Sequence, residues 1–285
     1  MNRIQLKAKL DAKVANKTLG KLIGDDSYDL IVAGTAAVYK PDGTLLCKLV
    51  KRAFSPQLLD EARDALRHLK RYGSDNRGKY AGMPRVTRRK ADGTMSKTSA
   101  ARNVASAIIG FFDRSPRMPY CRQTAFTANE VDRWTTILPM AQRMSDLFRE
   151  HVPDRWRAQH RISQGTSPDF VIEDTVFTTL TVNNSVRAAV HRDKGDLDAG
   201  FGCMNILRAG PWTGGFLVFP EFRTAVQLDE GDAIFFDPHE LHANTNFDGL
   251  DEDDGDYRVS CVYYYRTKMQ ECGSASSELQ RARDR

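Results

Sequence analysis

Two histidines, an aspartate and an arginine in the C-terminal half have the types and spacing of a non-haem iron site. His191 and Asp193 are two residues apart, His242 follows after a long interval, and Arg258 opens a later apolar run. Two imidazoles and one carboxylate occupy one face of Fe(II) and leave room for a bidentate 2-oxo acid and for dioxygen. A planar guanidinium can bind the far carboxylate of 2-oxoglutarate through two parallel hydrogen bonds. The pattern therefore predicts an iron-dependent oxygenase.

Alone, a His-x-Asp tripeptide is weak evidence, because such tripeptides often arise by chance. Its surroundings strengthen the interpretation. Residues 175–182 alternate and are rich in β-branched side chains, which predicts a strand, and residues 183–185 predict a turn. Further short strands are predicted at residues 201–207, 215–219, 225–228, 232–236 and 258–265. Short strands with turn signals between them indicate a jelly-roll double sheet, whose cup can present ligands from different strands.

Two histidines compete for the role of distal iron ligand. Residues 232–236 form the predicted strand, Asp237-Pro238 interrupts it, and residues 241–243 resume the extended run. A ligand on the resumed run would face the cup, so His242 is favoured. His239 is then a surface histidine, or one that orients a ligand near the mouth of the cup.

Length and composition predict one globular domain. The chain has 285 residues, of which 41% are hydrophobic, as is ordinary for a protein with a real core. No apolar run approaches the roughly 18 residues of a membrane span, and residues 1–7 lack the apolar core of a secretory signal. We therefore expect a cytoplasmic protein without a membrane partner. We also expect a monomer.

The five cysteines are odd in number and widely spaced, and no two of them form a Cys-x-x-Cys pair. This pattern predicts neither a disulfide framework nor a zinc site. Reduced, buried thiols are therefore expected, at Cys47, Cys121, Cys203, Cys261 and Cys272.

Taken in order, the chain predicts a polar N-terminal arm over residues 1–27, a single domain over residues 28–268 and a polar tail over residues 269–285. Within the domain, a Pro-Asp-Gly turn predicts a hairpin, and Ser55-Pro56 predicts the start of an amphipathic helix ending near Arg71. A second amphipathic helix is predicted to end before Pro153, with residues 156–170 as a connection to the jelly-roll core at residues 175–266.

Positive charge is concentrated in residues 67–102, which hold eleven lysines and arginines against two aspartates. Gly, Ser and Thr are frequent there, so a long flexible surface segment is predicted. Most charge runs are simply solvated, but an excess of this size would attract phosphates. The candidate contacts to a DNA backbone are Arg85, Arg88, Arg89 and Lys90.

Residues 248–256 contain six acids in nine positions. The run lacks the ligand spacing and the distal Glu of an EF-hand, so a solvated loop is favoured over a calcium site. Its charge should keep it away from a phosphate backbone.

The chain resembles the TET and JBP family of DNA 5-methylpyrimidine dioxygenases, particularly its small phage-like members, from about residue 77 to residue 266. The resemblance is carried by Arg77-Gly78 with Ala81-Gly82 and by the runs at residues 121–126, 177–183, 191–196, 214–220 and 231–245. It implies a fold of the α+β class that is mainly β, with a cupin-like double-stranded β-helix flanked by helices. It also implies that the protein is located in the cytoplasm of a bacterium or of a phage's bacterial host.

Carried over by motif, His191, Asp193 and His242 resemble the ligands of Fe(II). Arg258 and Ser260 resemble the pair that binds the far carboxylate of 2-oxoglutarate. Arg122 looks like a second cofactor-side arginine, although a lone Arg among small and aromatic residues also fits a structural salt bridge.

Three residues resemble the family's substrate side: Asp196, which comes three residues after the metal Asp, Arg266, which comes eight residues after the cofactor Arg, and Asn183. TET-type members tend to have His at the position of Arg266, so this arginine is a departure. An Arg that donates to O4 fits thymine slightly better. The association of small phage-like members with 5-methylcytosine points the other way, and we favour 5-methylcytosine.

The function implied is hydroxylation of the 5-methyl group of a pyrimidine in double-stranded DNA, with the base flipped out of the stack. The reaction would use bound Fe(II) and would consume dioxygen and 2-oxoglutarate. A 2-oxoglutarate hydroxylase of a protein or small molecule is the first alternative, and it would need no basic flank. A non-enzymatic DNA-binding module is the second, and it would need neither the three ligands nor Arg258.

Overall fold

The computed structural model describes residues 1–67, 69–74, 81, 86–100 and 104–284. The strands are β1 (Asn2–Gln5), β2 (Leu30–Val32), β3 (Ala36–Tyr39), β4 (Leu45–Val50), β5 (Gly73–Ser74), β6 (Val86–Arg89), β7 (Met95–Ala100), β8 (Val104–Phe112), β9 (Arg122–Gln123), β10 (Thr179–Asn184), β11 (Gly202–Ala209), β12 (Thr213–Gly214), β13 (Leu217–Phe219), β14 (Thr224–Val226), β15 (Ala233–Phe236), β16 (Ala243–Asn244), β17 (Phe247–Asp248) and β18 (Tyr257–Tyr264). The α-helices are α1 (Ala12–Asn16), α2 (Pro56–Leu66), α3 (Ala125–Asn129), α4 (Val131–His151), α5 (Pro153–Gln164) and α6 (Ala275–Arg283).

Two facing sheets form the cup. In the larger sheet, antiparallel strands follow the order β15, β11, β18, β10, β8, and β4, β3 and β1 extend it beyond β15. The smaller sheet has the order β16, β13, β14, β2. A backbone bridge between His191 and His242 lies next to β16 and continues the smaller sheet. This arrangement is the predicted double-stranded β-helix, and it confirms the predicted mainly β fold class.

Strand β18 shows how the alternation of side chains builds the cup. Its residues Val259, Cys261 and Tyr263 belong to the core that the larger sheet shares with the helices. Ser260 and Tyr264 point the other way and line the cavity between the sheets. Because side chains alternate along a strand, one face of β18 is structural and the other is available for chemistry.

Helices α2 and α4 pack against each other and cover the outer face of the larger sheet, through buried residues such as Leu59, Leu66, Ile137 and Met144. Both helices were predicted, and Ser55 caps α2 as expected, although α2 ends at Leu66 rather than near Arg71. The connection predicted at residues 156–170 is wrong, because α5 occupies Pro153–Gln164. Pro153 is tolerated at the first helical position, so it both ends α4 and starts α5.

The N-terminal segment, predicted as a polar arm, pairs with the larger sheet. Strand β1 pairs in parallel with β3, and Ala15 of α1 is buried. Further on, Gly20 N donates to Val190 O at 2.8 Å and Val190 N donates to Lys21 O at 2.9 Å. The segment is therefore attached to the strand that leads into His191.

The C-terminal segment is also ordered. Helix α6 buries Glu278, which is 1% exposed and accepts a hydrogen bond from Cys121 N at 2.7 Å. Cys121 and Cys272 form a disulfide across 151 residues, whereas Cys47, Cys203 and Cys261 are free and buried. The expectation of five reduced thiols is therefore wrong for two of them, because the chain returns after β18 to the end of the β8–β9 turn.

The basic segment is not only a loop. Strands β6 and β7 form an antiparallel hairpin, and Lys90 is exposed at its turn. Arg85 lies outside the described residues, and of Arg88 and Arg89 only the backbone, in β6, is described. None of the helices that the structure describes is long and apolar enough to cross a membrane.

Candidate active site

His191, Asp193 and His242 converge on one point at the edge of the smaller sheet. Their candidate ligand atoms all lie within 4.8 Å of one another. Asp193 Oδ1 lies 3.7 Å from His191 Nε2, and Asp193 Oδ2 lies 3.4 Å from His242 Nε2. The two imidazole centroids are 4.3 Å apart. Two nitrogens and one carboxylate at this separation fit the three protein ligands of a non-haem iron centre.

Both histidines present the same ring nitrogen to this point. His191 Nδ1 lies 2.8 Å from Ala189 O, and His242 Nδ1 lies 3.0 Å from Glu240 O. A backbone carbonyl can only accept, so each Nδ1 donates to its carbonyl and each Nε2 is the nitrogen that faces the Asp193 carboxylate. Such bonds fix the tautomer and the ring orientation of a metal-binding histidine.

The structure places His239 apart from this cluster. Its Nδ1 lies 3.3 Å from Asp237 Oδ1, and its Nε2 lies 3.2 Å from Asp198 Oδ1. The hydrogen bond to Asp237 raises the pKa of His239, against the opposing effect of burial. Both ring nitrogens of His239 thus face carboxylates outside the cluster, so its ring is not directed at the point where His191, Asp193 and His242 converge.

Glu221 joins the two segments that carry the histidines. It is 1% exposed, and its Oε1 accepts from Arg192 Nη2 at 3.0 Å while its Oε2 accepts from Leu241 N at 3.3 Å. Arg192 lies between His191 and Asp193, and Leu241 precedes His242. Sequence reasoning missed Glu221, although a lone acid directly after the apolar run of β13 was a usable signal.

Arg258 is a buried cation without a matching carboxylate among the described residues. Its side chain is 2% exposed, and its Nη2 has no hydrogen-bond partner in that part of the chain. The guanidinium carbon lies 5.5 Å from the centre of the Phe247 ring. Burial lowers the pKa of Arg258 to about 10, so it remains charged at neutral pH. A buried, incompletely bonded guanidinium is costly unless an anion binds it, and a carboxylate is such an anion.

Ser260 and Asn183 lie side by side on neighbouring strands of the larger sheet. Asn183 Nδ2 donates to Ser260 Oγ at 3.3 Å, and Asn183 Oδ1 accepts from Ser106 Oγ at 2.6 Å. Arg258 is two residues before Ser260 on β18 and therefore faces the same side of the sheet. The structure thus brings the two predicted carboxylate-binding residues together and places Asn183 beside them.

At the other end of these strands, Arg266 is held by Asp113. Asp113 Oδ1 accepts from Arg266 Nε at 2.9 Å and lies 2.8 Å from Nη2. Asp196 is joined to Arg266 by a backbone bridge, and both line the cavity. Asp113 was missed, because nothing in the sequence connects the end of β8 with a residue 153 positions later.

Arg122 lies at the Arg266 end of the cavity. Its Nη1 donates to Asp113 O at 3.3 Å, and its guanidinium lies 4.9 Å from the centre of the Phe112 ring. The register of β8, β10 and β18 places Phe112 and Arg258 at opposite ends of these strands. The role of Arg122 as a second cofactor-side arginine stays a prediction.

One cavity of about 640 Å³ connects these groups, a size typical of small-molecule sites. Its walls include the three clustered residues, Ser260 and Asn183 on one side, and Asp113, Arg122, Asp196 and Arg266 on the other.

Comparison with known proteins places the chain in a family. The Tet_JBP model, described as the oxygenase domain of the 2OGFeDO superfamily, matches residues 107–267. The chain is 37% identical over 172 residues to the thymine dioxygenase JBP1 of Leishmania braziliensis, covering 59% of this chain and 20% of that protein. It is 34% identical over 169 residues to the thymine dioxygenase JBP1 of Trypanosoma brucei brucei, with 58% and 20% covered. The chain thus spans about a fifth of the length of these curated relatives.

The fold comparison agrees. The solved structure of NgTET1 in complex with 5mC DNA superimposes with a TM-score of 0.63, over 97% of this chain and 100% of that chain, at 14% identity. This likeness shows the fold. Since the family match covers more than half of the 285 residues, the chain belongs to the TET/JBP family of dioxygenases, whose cofactors are Fe(II) and 2-oxoglutarate.

Proposed function

We propose that this dioxygenase hydroxylates the 5-methyl group of a pyrimidine in DNA. In this proposal His191, Asp193 and His242 bind Fe(II), and Arg258 with Ser260 binds the far carboxylate of 2-oxoglutarate. The observation that carries it is the single cavity, which connects the three clustered residues to a polar end formed by Asp113, Asp196 and Arg266. If the methyl group of the pyrimidine lay near the cluster, the hydrogen-bonding edge of the ring would lie beside those polar groups.

Fe(II) with 2-oxoglutarate supplies the activation of dioxygen, so that one oxygen atom enters the methyl C–H bond while 2-oxoglutarate becomes succinate and carbon dioxide. The chain's own residues position the cofactors and the base and exclude water from the site. The two Nε2 atoms and the Asp193 carboxylate fix the metal at one place, and Arg258 fixes the orientation of the 2-oxo acid. The target base must leave the helix stack to enter the cavity.

For the base, we propose 5-methylcytosine first and thymine second. Asp196 can accept from the exocyclic amino group of 5-methylcytosine while Arg266 donates to a ring acceptor. Thymine is supported by a different fit, in which Arg266 donates to O4 and a carboxylate accepts from N3–H. The curated relatives named thymine dioxygenase also support this second base.

The basic segment supports DNA as the polymer. We propose that Arg85, Arg88, Arg89 and Lys90 contact phosphates, since Lys90 is exposed at the tip of the β6–β7 hairpin. Reversing the charge of Arg88, Arg89 and Lys90 should then flatten the salt dependence of DNA binding. An unchanged slope would remove the hairpin from the contact surface.

The decisive experiment incubates the protein, Fe(II) and 2-oxoglutarate with duplexes that contain 5-methylcytosine or only thymine as the methylated base. Nucleoside mass spectrometry then measures the hydroxymethyl products, and succinate is measured in parallel. The Asp193→Ala variant is the control and should form neither product while remaining folded. Succinate formation by the native chain without oxidised base in either duplex would contradict DNA as the substrate and favour a protein or small-molecule hydroxylase.

A further inference from the structure

We infer that Arg117, Lys194 and Lys268, called the rim cations below, bind the phosphates that flank the flipped nucleotide. The inference rests on the proposed function and deepens it, because it assigns a phosphate site at the cavity mouth that is separate from the basic hairpin. It also predicts what these residues do not do, which is to select the base.

The rim cations line the cavity that holds the clustered residues, or the cavity that adjoins it. Arg117 and Lys194 line the 640 Å³ cavity. Lys194 and Lys268 line an adjoining cavity of about 470 Å³. The two cavities share Asp113, Asp196 and Arg266 in their walls, so they adjoin each other. All three rim cations are exposed.

The rim cations differ in their pairing from three arginines nearby. Arg114 pairs with Glu278, Arg192 pairs with Glu221, and Arg266 pairs with Asp113. Within the described part of the chain, none of the three rim cations forms an ion pair. Arginines paired with buried acids hold the fold together, whereas exposed cations without such partners can neutralise an external anion.

The backbone beneath the rim cations is held in place. Thr267, which precedes Lys268, donates its N–H to Gly195 O at 3.0 Å and its hydroxyl to Asp196 O at 3.0 Å. Lys194 and Lys268 are therefore carried by two segments that are hydrogen-bonded to each other. Arg117 lies in a tight turn closed by mutual backbone bonds between Ser115 and Met118, at 2.8 and 3.0 Å. These cations therefore emerge from defined positions around the opening.

A flipped nucleotide fits this arrangement. Its base occupies the cavity, while its sugar and the phosphates on both sides of it must remain at the mouth. Phosphate contacts position a nucleic acid without reading its sequence. The rim cations should therefore contribute affinity and register, and leave the choice between 5-methylcytosine and thymine to the groups inside.

The test measures the binding of a fluorescent duplex containing 5-methylcytosine by anisotropy at several salt concentrations. Fe(II) and 2-oxoglutarate are present and dioxygen is excluded, so that no turnover occurs. For Arg117→Gln, Lys194→Gln and Lys268→Gln, the slope of log affinity against log salt should fall by about 0.9 for each phosphate that the variant no longer neutralises. The ratio of oxidation rates on 5-methylcytosine and thymine, measured aerobically, should stay at the native value.

Two matched variants serve as controls. Arg161→Gln removes an exposed cation from α5, which packs on the helix side of the larger sheet, and it should keep the native slope. Lys194→Arg keeps the charge at the rim and should also keep the native slope.

Native slopes in all three glutamine variants would overturn the rim site while leaving the proposed function intact. A changed base ratio in those variants would also overturn it, since it would place the cations in base recognition. A native chain that binds no DNA at any salt concentration would overturn the proposed function itself, so the two failures are distinguishable.

Discussion

His191 and His242 exchange both of their backbone hydrogen bonds, each at 3.0 Å, although they are far apart in the sequence. One rung of the smaller sheet therefore fixes two metal-ligand candidates at once. Their side chains leave the rung on the same side, and Asp193 follows two residues later to complete the cluster. The metal site is a consequence of strand pairing, so it is formed only when the cup is closed.

The first prediction separates the two candidate distal ligands. His242→Ala should abolish stable Fe(II) binding, because it removes one of three clustered donors, whereas His239→Ala should retain it, because His239 is engaged by Asp237 and Asp198. Anaerobic Fe(II) titration in the presence of 2-oxoglutarate measures both. Loss of iron from the His239 variant with retention in the His242 variant would reverse the assignment.

The second prediction concerns Glu221 as a residue that positions the ligand strands. Glu221→Gln keeps an acceptor for Leu241 N but removes the charge that holds Arg192, so the His191–Asp193 segment loses an anchor. Fe(II) affinity should fall by about 10- to 100-fold, as for other groups that orient metal ligands. Anaerobic iron titration measures the change.

Glu240→Gln is the matched control for this variant. Glu240 is another acid near the ligands that pairs with lysines, Lys9 and Lys40, but no hydrogen bond or ion pair joins its carboxylate to Arg192 or Leu241. Iron affinity should stay native in this control. Equal losses in the two variants would mean that general destabilisation, rather than positioning, explains the effect.

The sequence was sufficient for the strands that carry the site and for the three clustered residues, because both depend on local patterns. Alternation identified the core strands of the larger sheet, and the break at Asp237-Pro238 indicated which histidine resumes the extended run. Residue type and spacing also indicated Arg258, and the resemblance added Ser260 and Arg266, which line the cavity. The roles of these three residues stay predictions.

Pairs that depend on distant segments could not be predicted. The Asp113–Arg266 and Cys121–Cys272 pairs each join residues about 150 positions apart. No spacing rule in the sequence predicts a contact between such distant residues. Helix α5 was missed for a different reason. Pro153 ends one helix and starts the next, and a proline alone does not reveal that it does both.

The third prediction uses the unsatisfied charge of Arg258. Arg258→Met replaces a buried guanidinium with an apolar side chain of similar length, so the ligand-free protein should be as stable as the native chain or more stable by about 1–3 kcal/mol. The rise in melting temperature on adding 2-oxoglutarate with a redox-inert divalent metal should disappear. Thermal unfolding with and without the 2-oxo acid measures both quantities.

Arg63→Met provides the contrast for this prediction. Arg63 is bonded to Glu230 and to the Tyr257 hydroxyl, and its removal leaves those groups without their partner. This variant should lower stability and keep the response to 2-oxoglutarate. A native response to 2-oxoglutarate in the Arg258 variant would show that the carboxylate is bound elsewhere.

The last prediction tests how Arg266 reads the base. In the thymine fit the Arg266 guanidinium supplies the donor to O4, whereas a neutral imidazole can also accept, as Asp196 does, from the amino group of 5-methylcytosine, so Arg266→His should favour 5-methylcytosine. The ratio of kcat/KM for 5-methylcytosine over thymine should rise by about tenfold, close to the value of one hydrogen bond. Arg266→Lys is the control, because lysine keeps a donor and the charge facing Asp113, and its ratio should stay near native. Competition between the two duplexes, followed by nucleoside mass spectrometry, measures the ratio. A native ratio in both variants would remove Arg266 from base selection.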